Sequence, residues 1–496
     1  MSSTGATSKG ATSGVYLPSS RANLHPKDHL PTELSTKTFD VVCLGTGWVS
    51  RVAAARLTKA GISCLVIEEE LIGGDCPFWA CVPSKVLLHD DAGTQRMDVE
   101  AIFSRRDNFT GNYSDQPVLI PMMNEAGVTM ARGKATLAGT KSVRITSHDG
   151  STTDVKANIA VILGTGSEPV IPNVPGLKDA QVWTPRDATS SQRVPKHLIV
   201  IGAGAVGVEM ATAYASFGSK VTLIGRAKEI IPSVDAKAGK IVRQAMQDRG
   251  VDVRVSADVS RVQRKAHDQI EVELSTGETI VGSEVLLAAG RKSTHDRLNL
   301  EAVGVPADGR WVPVDENLTV KTDDGQDWLY AGGDMTGRAL LTHTSKYHGR
   351  ILSNVILARE AGKKIYGDEY SPQSATADHT AVPQVVFSNP PVAAVGLDSA
   401  RAKKKGITVR EVSAPFVTLG GKIASDAAVE GLALWVINEE NQLVGATFVG
   451  IGAADQLHAS TVALVGGVKL DRLAHAIPPF PTITEVYLNL IEAAGL

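Results

Sequence analysis

The stretch KHLIVIGAGAVGVEM, residues 196–210, decides the fold class of this chain. Its apolar run suits a strand that is buried on both faces of a parallel sheet. Gly202, Gly204 and Gly207 follow with the spacing G-x-G-x-x-G, and a helical pattern comes next. The first glycine permits a tight turn, and the second lets the backbone approach a pyrophosphate, whose charge is favoured at a helix N-terminus. The stretch therefore predicts a dinucleotide-binding unit in an α/β fold.

A less complete copy of this pattern opens the ordered chain at 38–50, TFDVVCLGTGWVS. Gly45 and Gly47 keep their places, whereas Ser50 replaces the third glycine. The next strand ends in Glu68, 23 residues after Gly45, about where the partner of a ribose hydroxyl belongs. Such a turn could simply be a tight connection between a strand and a helix. The strand, the helix and the acid at their expected spacing favour nucleotide binding instead. Two units in one chain imply two different dinucleotides.

The corresponding strand of the other unit ends in a different way, with GRAK at 225–228. No acid stands there to bind an unmodified ribose 2′-hydroxyl, and Arg226 and Lys228 lie close together. This pattern favours a ribose 2′-phosphate, and hence NADPH over NADH. Ordinary solvated charges are the alternative interpretation, and NADH then stays open.

The four cysteines are too few for a disulfide scaffold in 496 residues, and they fall into two groups. Cys43 and Cys64 lie in apolar strand patterns, where a small buried side chain is expected. Cys76 and Cys81 lie in GGDCPFWACVPSK, residues 73–85, ahead of a helical run. Two thiols at this spacing can meet as a disulfide, and a helix N-terminus lowers the pKa of a thiol. A metal site is the competing interpretation, although zinc would need two further ligands nearby.

Composition and charge favour a small-molecule partner. The 50 Lys and Arg residues nearly balance 53 Asp and Glu residues and are scattered, which gives no electrostatic footprint for nucleic acid or an anionic membrane. No apolar stretch approaches the roughly 18 residues that span a bilayer, and the N-terminus lacks the apolar core of a secretory signal. We expect a cytoplasmic protein, with a mitochondrial location as the alternative because no acid precedes Asp28.

Three further segments complete a resemblance to a known family: LGTGSEP at 163–169, AAGR at 288–291 and LYAGGD at 329–334. With the two glycine turns and the cysteine pair, they make the chain resemble the pyridine nucleotide-disulfide oxidoreductases over residues 37–496. That family includes dihydrolipoamide dehydrogenase, glutathione reductase and mercuric reductase. The resemblance implies FAD and a nicotinamide dinucleotide as cofactors, with further binding residues at Gly74, Thr165, Gly166, Gly290, Arg291 and Asp334.

The resemblance also implies a domain organisation. The fold class is α/β, with two Rossmann-like dinucleotide-binding domains and a C-terminal α+β dimerisation domain. The FAD domain is split between 37–169 and 292–380, the NAD(P)H domain occupies 170–291, and the interface domain of a homodimer occupies 381–496. Residues 1–36 are rich in Ser, Thr, Gly and Pro without apolar periodicity, which predicts a flexible tail.

The same resemblance implies the path of the electrons, from NADPH through FAD to a Cys76–Cys81 disulfide. Cys81 would be the charge-transfer thiol beside the flavin, and Cys76 the interchange thiol that faces the acceptor. Lys85 and Glu209 match the family's Lys–Glu pair near the reactive edge of the flavin. A solvated helix charge is the alternative interpretation of Lys85.

One position departs from the family pattern. Many of these reductases carry a His-Pro-Thr segment with a nearby Glu, and the His exchanges protons with the interchange thiol across the dimer. Here Phe480 occupies the His position, so Glu485 has lost the imidazole that it would orient. His475 lies five residues earlier and is either a substitute or a structural histidine. Mercuric reductases also depart from the His pattern, but they carry a C-terminal cysteine pair, and no cysteine follows Cys81.

Three functions are consistent with the sequence. The first is reduction of a small disulfide or another thiolate-accepting compound through the cysteine pair. The second is NADPH-driven reduction of a quinone-like or other organic acceptor directly at the flavin. The third is a low-turnover, redox-responsive flavoprotein partner. No motif identifies the acceptor.

Overall fold

The first part of the fold is a mixed sheet with a hydrophobic core on each face. The computed structural model describes residues 21–88, 98–307, 309–424 and 431–496. The elements of the first part are β1 (Thr38–Leu44), α1 (Trp48–Lys59), β2 (Cys64–Glu68), α2 (Asp75–Phe78), α3 (Cys81–Leu87), α4 (Val99–Phe109), α5 (Leu119–Glu125), β3 (Thr129–Arg132), β4 (Lys134–Gly139), β5 (Ser142–Thr146), β6 (Thr152–Leu163) and β7 (Ser167–Pro169). The strands run in the order β3-β2-β1-β6-β5-β4.

Strand β1 is central to this sheet and is buried on both faces. Its side chains alternate between two cores, because successive residues of a strand point to opposite faces. Val42 and Leu44 pack in one core, and Val41 and Cys43 in the other. The parallel neighbours of β1 are β2 and β6, so the ends of all three strands point to the same edge.

The middle of the chain forms a second, parallel sheet in the order β10-β9-β8-β14. An antiparallel sheet, β11-β12-β13, lies beside it. The elements are α6 (Pro185–Ser190), β8 (His197–Ile201), α7 (Ala205–Ser216), β9 (Lys220–Ile224), α8 (Ala236–Asp248), β10 (Asp252–Arg254), β11 (Val259–Ala266), β12 (Gln269–Leu274), β13 (Thr279–Gly282) and β14 (Glu284–Leu287).

The chain then returns to the first sheet. The elements of this segment are β15 (Arg291–Ser293), β16 (Leu329–Ala331), α9 (Thr342–Glu360) and α10 (Ala377–Thr380). Strand β15 pairs antiparallel with β7, where the chain leaves and re-enters the first unit, and β16 pairs in parallel with β6. Helix α9 packs closely on α1, since a Cβ on Gly349 would lie 2.7 Å from the carbonyl oxygen of Val49. This return agrees with a split first domain, while the exact domain boundaries stay a prediction.

The last part is an antiparallel sheet with helices packed on it, in the order β17-β18-β21-β20-β19. Its core joins Trp435 and Phe448 of the sheet to Leu457 and Leu490 of two helices. The predicted fold class is confirmed. The elements are β17 (Gln384–Val386), β18 (Val392–Gly396), α11 (Ser399–Lys404), β19 (Val409–Pro415), α12 (Leu419–Ala424), β20 (Leu432–Asn438), β21 (Leu443–Val449), α13 (Ala453–Val465), α14 (Leu470–Leu473) and α15 (Val486–Ala493).

Residues 21–36, part of the predicted flexible tail, make defined contacts with distant residues. Arg21 donates to a carboxylate oxygen of Asp107 at 3.0 Å, and Arg132 donates to Asp28 at 2.6 Å. A tail segment without apolar periodicity is held here by ion pairs with distant residues, which no local pattern reveals. The rest of the predicted tail, 1–20, lies outside the described residues.

Candidate active site

The first glycine turn joins β1 to α1 by close backbone contact. Gly45 has a φ of +88°, and a Cβ there would lie 2.6 Å from the carbonyl oxygen of Gly164. Gly47 is the N-cap residue of α1. Ser50 is buried at the place of the third glycine, and a Cβ on Gly164 would lie 2.4 Å from its Oγ. The glycine that the motif lacks is therefore replaced by a glycine on the facing loop.

Glu68 lies beside this turn, at the end of β2, and is bound to it. Its Oε2 accepts a hydrogen bond from the backbone N–H of Thr46 at 3.0 Å and another from the Thr46 hydroxyl. The backbone N–H of Gly73 donates to the same hydroxyl at 2.7 Å. A Cβ on Gly74 would lie 3.1 Å from the Cα of Gly47. These glycines leave a cradle of backbone without side chains, which fits the diphosphate of a dinucleotide such as FAD.

Arg291 connects the second predicted flavin turn to the cysteine loop. Its Nε donates to Ser167 Oγ at 2.6 Å, and its Nη2 donates to Asp75 at 3.0 Å. Ser167 Oγ in turn donates to Asp334 Oδ2 at 2.5 Å. Arg186 donates to the other oxygen of Asp75 at 2.7 Å. Burial raises the pKa of Asp334, and the serine hydrogen bond partly offsets this effect.

The remaining predicted residues of this region lie around the same crossing. Thr165 Oγ1 is 2.8 Å from Thr294 Oγ1, and the carbonyl of Gly166 accepts from the backbone N–H of Thr294 at 3.3 Å. The carbonyl of Gly290 accepts from Val170 at 2.9 Å. The structure therefore brings these positions, Arg291 and Asp334 together between the two sheets.

The second glycine turn joins β8 to α7 and is packed more tightly than the first. A Cβ on Gly202 would lie 2.2 Å from Ala288 O, and one on Gly207 would lie 1.8 Å from Gly202 O. A Cβ on Gly204 would meet nothing within 4 Å among the described residues. The outer two glycines are therefore required by packing, whereas Gly204 leaves an open approach for a ligand, as a pyrophosphate requires.

Arg226 and Lys228 lie just beyond β9 and are exposed. Within the described part of the chain, neither side chain makes a hydrogen bond or an ion pair. The nearby acid, Glu229, is bound by Arg243 through two hydrogen bonds of 2.8 and 2.9 Å. Two free cations thus stand at the position where the sequence predicts them.

The two candidate redox cysteines lie in the loop after β2, on α2 and at the start of α3. Both are free thiols and half-buried, and Cys81 Sγ lies 3.0 Å from Thr342 Oγ1 on α9. A hydrogen bond from Cys81, with further help from Thr342, Trp48 and the charge of Arg51, lowers the pKa of Cys76 to about 5. Its hydrogen bond to Cys76 and its burial raise the pKa of Cys81. The polypeptide thus favours the thiolate at Cys76, whereas the resemblance implies a thiolate at Cys81.

Lys85 and Glu209 meet as predicted from the resemblance. Lys85 lies one helical turn after Cys81, and its Nζ is 2.8 Å from Glu209 Oε2 on α7. The other carboxylate oxygen of Glu209 accepts from the backbone N–H of Phe387 at 3.0 Å. The ammonium group of Lys85 also lies 4.8 Å from the centre of the Phe387 ring. The pair therefore ties the cysteine-bearing helix to the middle unit and to the start of the third.

Three predicted residues of the C-terminal part lie away from the thiols. His475 is exposed after α14, and Phe480 has 65% of its surface exposed. Glu485 is partly buried at the start of α15, and its Oε2 has no hydrogen-bond partner among the described residues. None of the contacts of these three residues in the described chain reaches Cys76. A single chain therefore does not bring them to the cysteine loop.

Sequence reasoning missed Thr342, whose hydroxyl lies 3.0 Å from Cys81 Sγ, and Arg51 and Trp48, which contribute to the lowered pKa of Cys76. Arg51 and Trp48 belong to α1, whose sequence is WVSRVAAARLTK, and Thr342 begins α9. The one available signal in the sequence was Arg51, a charged residue in the first two turns of a helix whose other residues there are mostly apolar. Its effect on Cys76 depends on tertiary packing.

Cys43 and Cys64 are buried core residues in β1 and β2. Burial raises the pKa of both thiols, that of Cys64 to about 11. In the described ranges, no group of three or more His, Cys, Asp or Glu side chains could hold a metal ion. Across the same ranges, no helix is both long and apolar enough to cross a membrane.

Comparisons with known proteins agree with this architecture. Residues 39–349 match the family model described as pyridine nucleotide-disulphide oxidoreductase, and residues 382–491 match its dimerisation domain. The dihydrolipoyl dehydrogenase of Bacillus subtilis is 27% identical over 477 residues, which are 92% of this chain and 96% of that protein. The mercuric reductase of Staphylococcus aureus is 25% identical over 465 residues, 90% of this chain and 81% of that protein.

Solved structures show the same fold. The Cu(II) complex of the HOCl-induced flavoprotein disulfide reductase RclA from Escherichia coli superposes with a TM-score of 0.81 at 23% identity, covering 92% of this chain and 99% of that one. LpdA from Mycobacterium tuberculosis has a TM-score of 0.78 at 23% identity, covering 92% and 100%. With both family models matched along most of its length, the chain belongs to the pyridine nucleotide-disulphide oxidoreductase family, whose enzymes bind FAD and a pyridine nucleotide.

Proposed function

We propose that this enzyme uses NADPH and FAD to reduce a small disulfide or another thiolate-accepting compound through Cys76 and Cys81. The observation that carries the proposal is the placement of two half-buried free thiols, Cys76 on α2 and Cys81 at the first residue of α3, with Cys81 Sγ 3.0 Å from the hydroxyl of Thr342. The lowered pKa of Cys76, about 5, makes it a thiolate at neutral pH, and the thiolate is the nucleophilic form of cysteine.

The residues around the two glycine turns support the cofactor assignment. Gly45, Gly47 and Gly74 would hold the diphosphate of FAD, Glu68 its ribose, and Asp334 its ribityl chain. When bound, FAD supplies the two-electron exchange between a nicotinamide and the thiol pair. Lys85 and Glu209 fix the helix on which Cys81 lies, and this ion pair of 2.8 Å would hold the thiol in one orientation.

The two cysteines, with water as the proton acceptor, are sufficient for two-electron reduction of a disulfide. The Cys76 thiolate attacks one sulfur of an acceptor disulfide, forms a mixed disulfide and releases one thiolate. The sulfur of Cys81 then attacks Cys76 Sγ, loses its proton to water and releases the second thiolate. The acceptor has gained two electrons, and the Cys76–Cys81 disulfide is ready for reduction again.

NADPH is the proposed electron donor because Arg226 and Lys228 are exposed and free of partners in the described chain. Their charges would bind a 2′-phosphate, which NADH lacks. The acid close to them, Glu229, is already neutralised by Arg243.

We further propose a homodimer that acts on a small-molecule acceptor. The match to a dimerisation domain supports the dimer, as do exposed apolar side chains of the third part such as Ile477 and Leu419. Cytoplasmic location stays a prediction from the sequence.

The test is a titration of free thiols before and after anaerobic reduction by NADPH, combined with NADPH consumption across disulfides, quinones and metal ions. We expect two additional thiols on reduction of the unmodified enzyme. Cys76→Ser and Cys81→Ser should each abolish disulfide turnover, while Cys64→Ala, at a buried cysteine outside the pair, should retain it. An equal thiol count in the oxidised and reduced enzyme would refute the proposal.

Phe480 favours a second candidate, reduction of a quinone-like acceptor directly at the flavin. A placed imidazole contributes about 10²- to 10⁴-fold in proton transfer, and this chain carries an exposed phenyl ring at that position. If His475 supplies the proton instead, His475→Ala should lower turnover of the true acceptor at least about tenfold without slowing reduction by NADPH. Unchanged turnover in His475→Ala, together with turnover in Cys76→Ser, would favour the quinone-like acceptor.

A further inference from the structure

His348 on α9 is a fully buried histidine that contacts the loop around Asp334. Its Nδ1 accepts a hydrogen bond from the backbone N–H of Gly333 at 2.8 Å. Its Nε2 lies 2.9 Å from both carboxylate oxygens of Asp378, whose side chain is also fully buried. Gly333 directly precedes Asp334, the residue proposed to hold the ribityl chain of FAD. One imidazole therefore connects a buried carboxylate to the backbone beside this acid.

The two contacts of His348 determine which ring nitrogen carries the proton. A backbone N–H can only donate a hydrogen bond, so Nδ1 must be the unprotonated nitrogen. The proton of the ring is then on Nε2, which donates to the carboxylate of Asp378. A doubly protonated ring would place a second N–H against that of Gly333 and lose this hydrogen bond. The contacts therefore require a neutral imidazole in one tautomer.

Asp378 is itself held in place, because Arg338 also binds it. Nη1 of Arg338 donates to Asp378 Oδ2 at 3.2 Å. Its Nη2 donates to the backbone carbonyls of Val314 and Asp315 at 3.0 and 2.9 Å. In a buried network of this kind, each member is oriented by its neighbours. The orientation of His348 is thus set by contacts outside the loop on which it acts.

The loop at Gly333 is packed directly on α9. Gly333 is buried with a φ of +62°, and a Cβ there would lie 2.7 Å from Ser345 Oγ. A buried backbone N–H without an acceptor costs about as much as a lost hydrogen bond, and His348 supplies the acceptor. The side chain of the next residue, Asp334, accepts from Ser167 Oγ at 2.5 Å. The position of Asp334 therefore depends on one side-chain contact and on one backbone contact beside it.

We infer that His348 is a positioning residue for FAD: together with Asp378, it holds the backbone of Gly333 so that Asp334 is placed to bind the ribityl chain. The inference rests on the proposed function, in which Asp334 binds FAD, and deepens it. His348 acts through the loop and not as a catalytic residue. The atom that matters for FAD is Nδ1, because it accepts from the loop, whereas Nε2 serves to orient the ring.

The test compares two amide side chains that each replace one half of the imidazole. His348→Asn keeps an oxygen near the place of Nδ1 as an acceptor for Gly333, whereas His348→Gln keeps an amide donor near the place of Nε2 for Asp378. The dissociation constant of FAD is measured from the fluorescence of FAD released on serial dilution of the loaded enzyme. We expect a rise of at least about fivefold in His348→Gln and of less than about twofold in His348→Asn.

The matched control is His379→Gln on the same short helix as Asp378. His379 is exposed and its Nε2 lies 3.0 Å from a carboxylate oxygen of Glu316. This variant should keep the dissociation constant of the unmodified enzyme. Urea unfolding of each variant is measured in parallel, because a purely structural role of the ring would lower the unfolding midpoint and loosen FAD to the same extent in both His348 variants.

The outcomes separate this inference from the function on which it rests. If the unmodified enzyme binds FAD and His348→Gln retains it equally well, the role of His348 is refuted and the proposed function stands. Equal loosening of FAD in His348→Asn and His348→Gln also overturns the inference. If the unmodified enzyme binds no FAD, the proposed function itself is refuted. Should neither variant fold, Asp378→Asn decides, because it removes the charge that orients the ring, and unchanged FAD retention in that variant overturns the inference.

Discussion

The two glycine turns carry the same motif but differ in the residue at the third glycine position and in the charged residues that follow. In the turn after β8, Gly207 has no room for a side chain, and Arg226 and Lys228 beyond the next strand have no partners in the described chain. In the turn after β1, Ser50 occupies the equivalent position, and Glu68 is bound to the turn by Thr46.

The difference shows how one backbone motif tolerates exchange of its parts. In both turns the helix must lie close to neighbouring backbone, and a glycine without a Cβ makes this possible. That glycine is Gly207 in the turn after β8 and Gly164, on the facing loop, in the turn after β1. In the first unit the charged residue that ends the second strand, Glu68, is hydrogen-bonded within the protein. In the second unit the corresponding charges, Arg226 and Lys228, have no partner in the described chain. We therefore expect the residues that end these strands, together with their partners, to determine ligand specificity more than the glycines do.

The largest expected effect separates the two turns by their packing. Gly207→Ala places a Cβ 1.8 Å from a backbone oxygen, so the backbone must move, and we expect a loss of about 3 kcal/mol or more in the free energy of unfolding. Ser50→Ala at the equivalent position removes a buried hydroxyl without a described partner and should change stability by less than about 1 kcal/mol. Urea unfolding measures both, and equal losses would contradict the comparison.

A second effect concerns the free cations of the second turn. Arg226→Ala should lower the preference for NADPH over NADH, as a ratio of kcat/KM values, by about tenfold, because a charge-assisted hydrogen bond contributes roughly 1.5 to 3 kcal/mol. Lys240→Ala, at an exposed lysine of α8, is the control and should keep the ratio. Equal use of both nucleotides by the unmodified enzyme would show that these cations select nothing.

The smallest effect concerns Glu68 in the first turn. Burial raises the pKa of Glu68 above its value in the unfolded chain, so the folded protein holds this proton more tightly. Its contribution to stability is therefore largest at low pH and is lost as the pH rises through the ordinary glutamate range to the raised value.

Glu68→Gln should remove this loss and weaken FAD retention by roughly threefold to fivefold, as expected for one hydrogen bond. Thermal unfolding between pH 4 and 7 and the release of FAD on dilution measure the two effects. Glu69→Gln, at the exposed neighbouring acid, should change neither. A steeper pH dependence in Glu68→Gln than in the unmodified enzyme would show that the sign is wrong.

Much of the site could be placed from the sequence because its parts are local. The spacing of Gly45 and Glu68 follows from one strand, one helix and a second strand, and the structure has Glu68 at the end of β2. The position of Cys81 at the start of a helix follows from a similarly short pattern. The fold class, the cofactors of the family and the dimerisation domain followed from several such motifs taken together.

The amino-acid sequence by itself determined the order of the units and the glycine turns and predicted the two candidate redox thiols, since each depends on neighbours within a few tens of residues. Tertiary structure alone decided which charged side chains are paired within the protein and which are left without a partner in the described chain. Arg291 reaches Asp75 across 216 residues, and Gly164 supplies the space that Ser50 fills. Thr342 lies 3.0 Å from Cys81 Sγ only because α9 and the cysteine loop pack together. Burial and charge depend on these long-range contacts, which leave no periodic pattern in the chain.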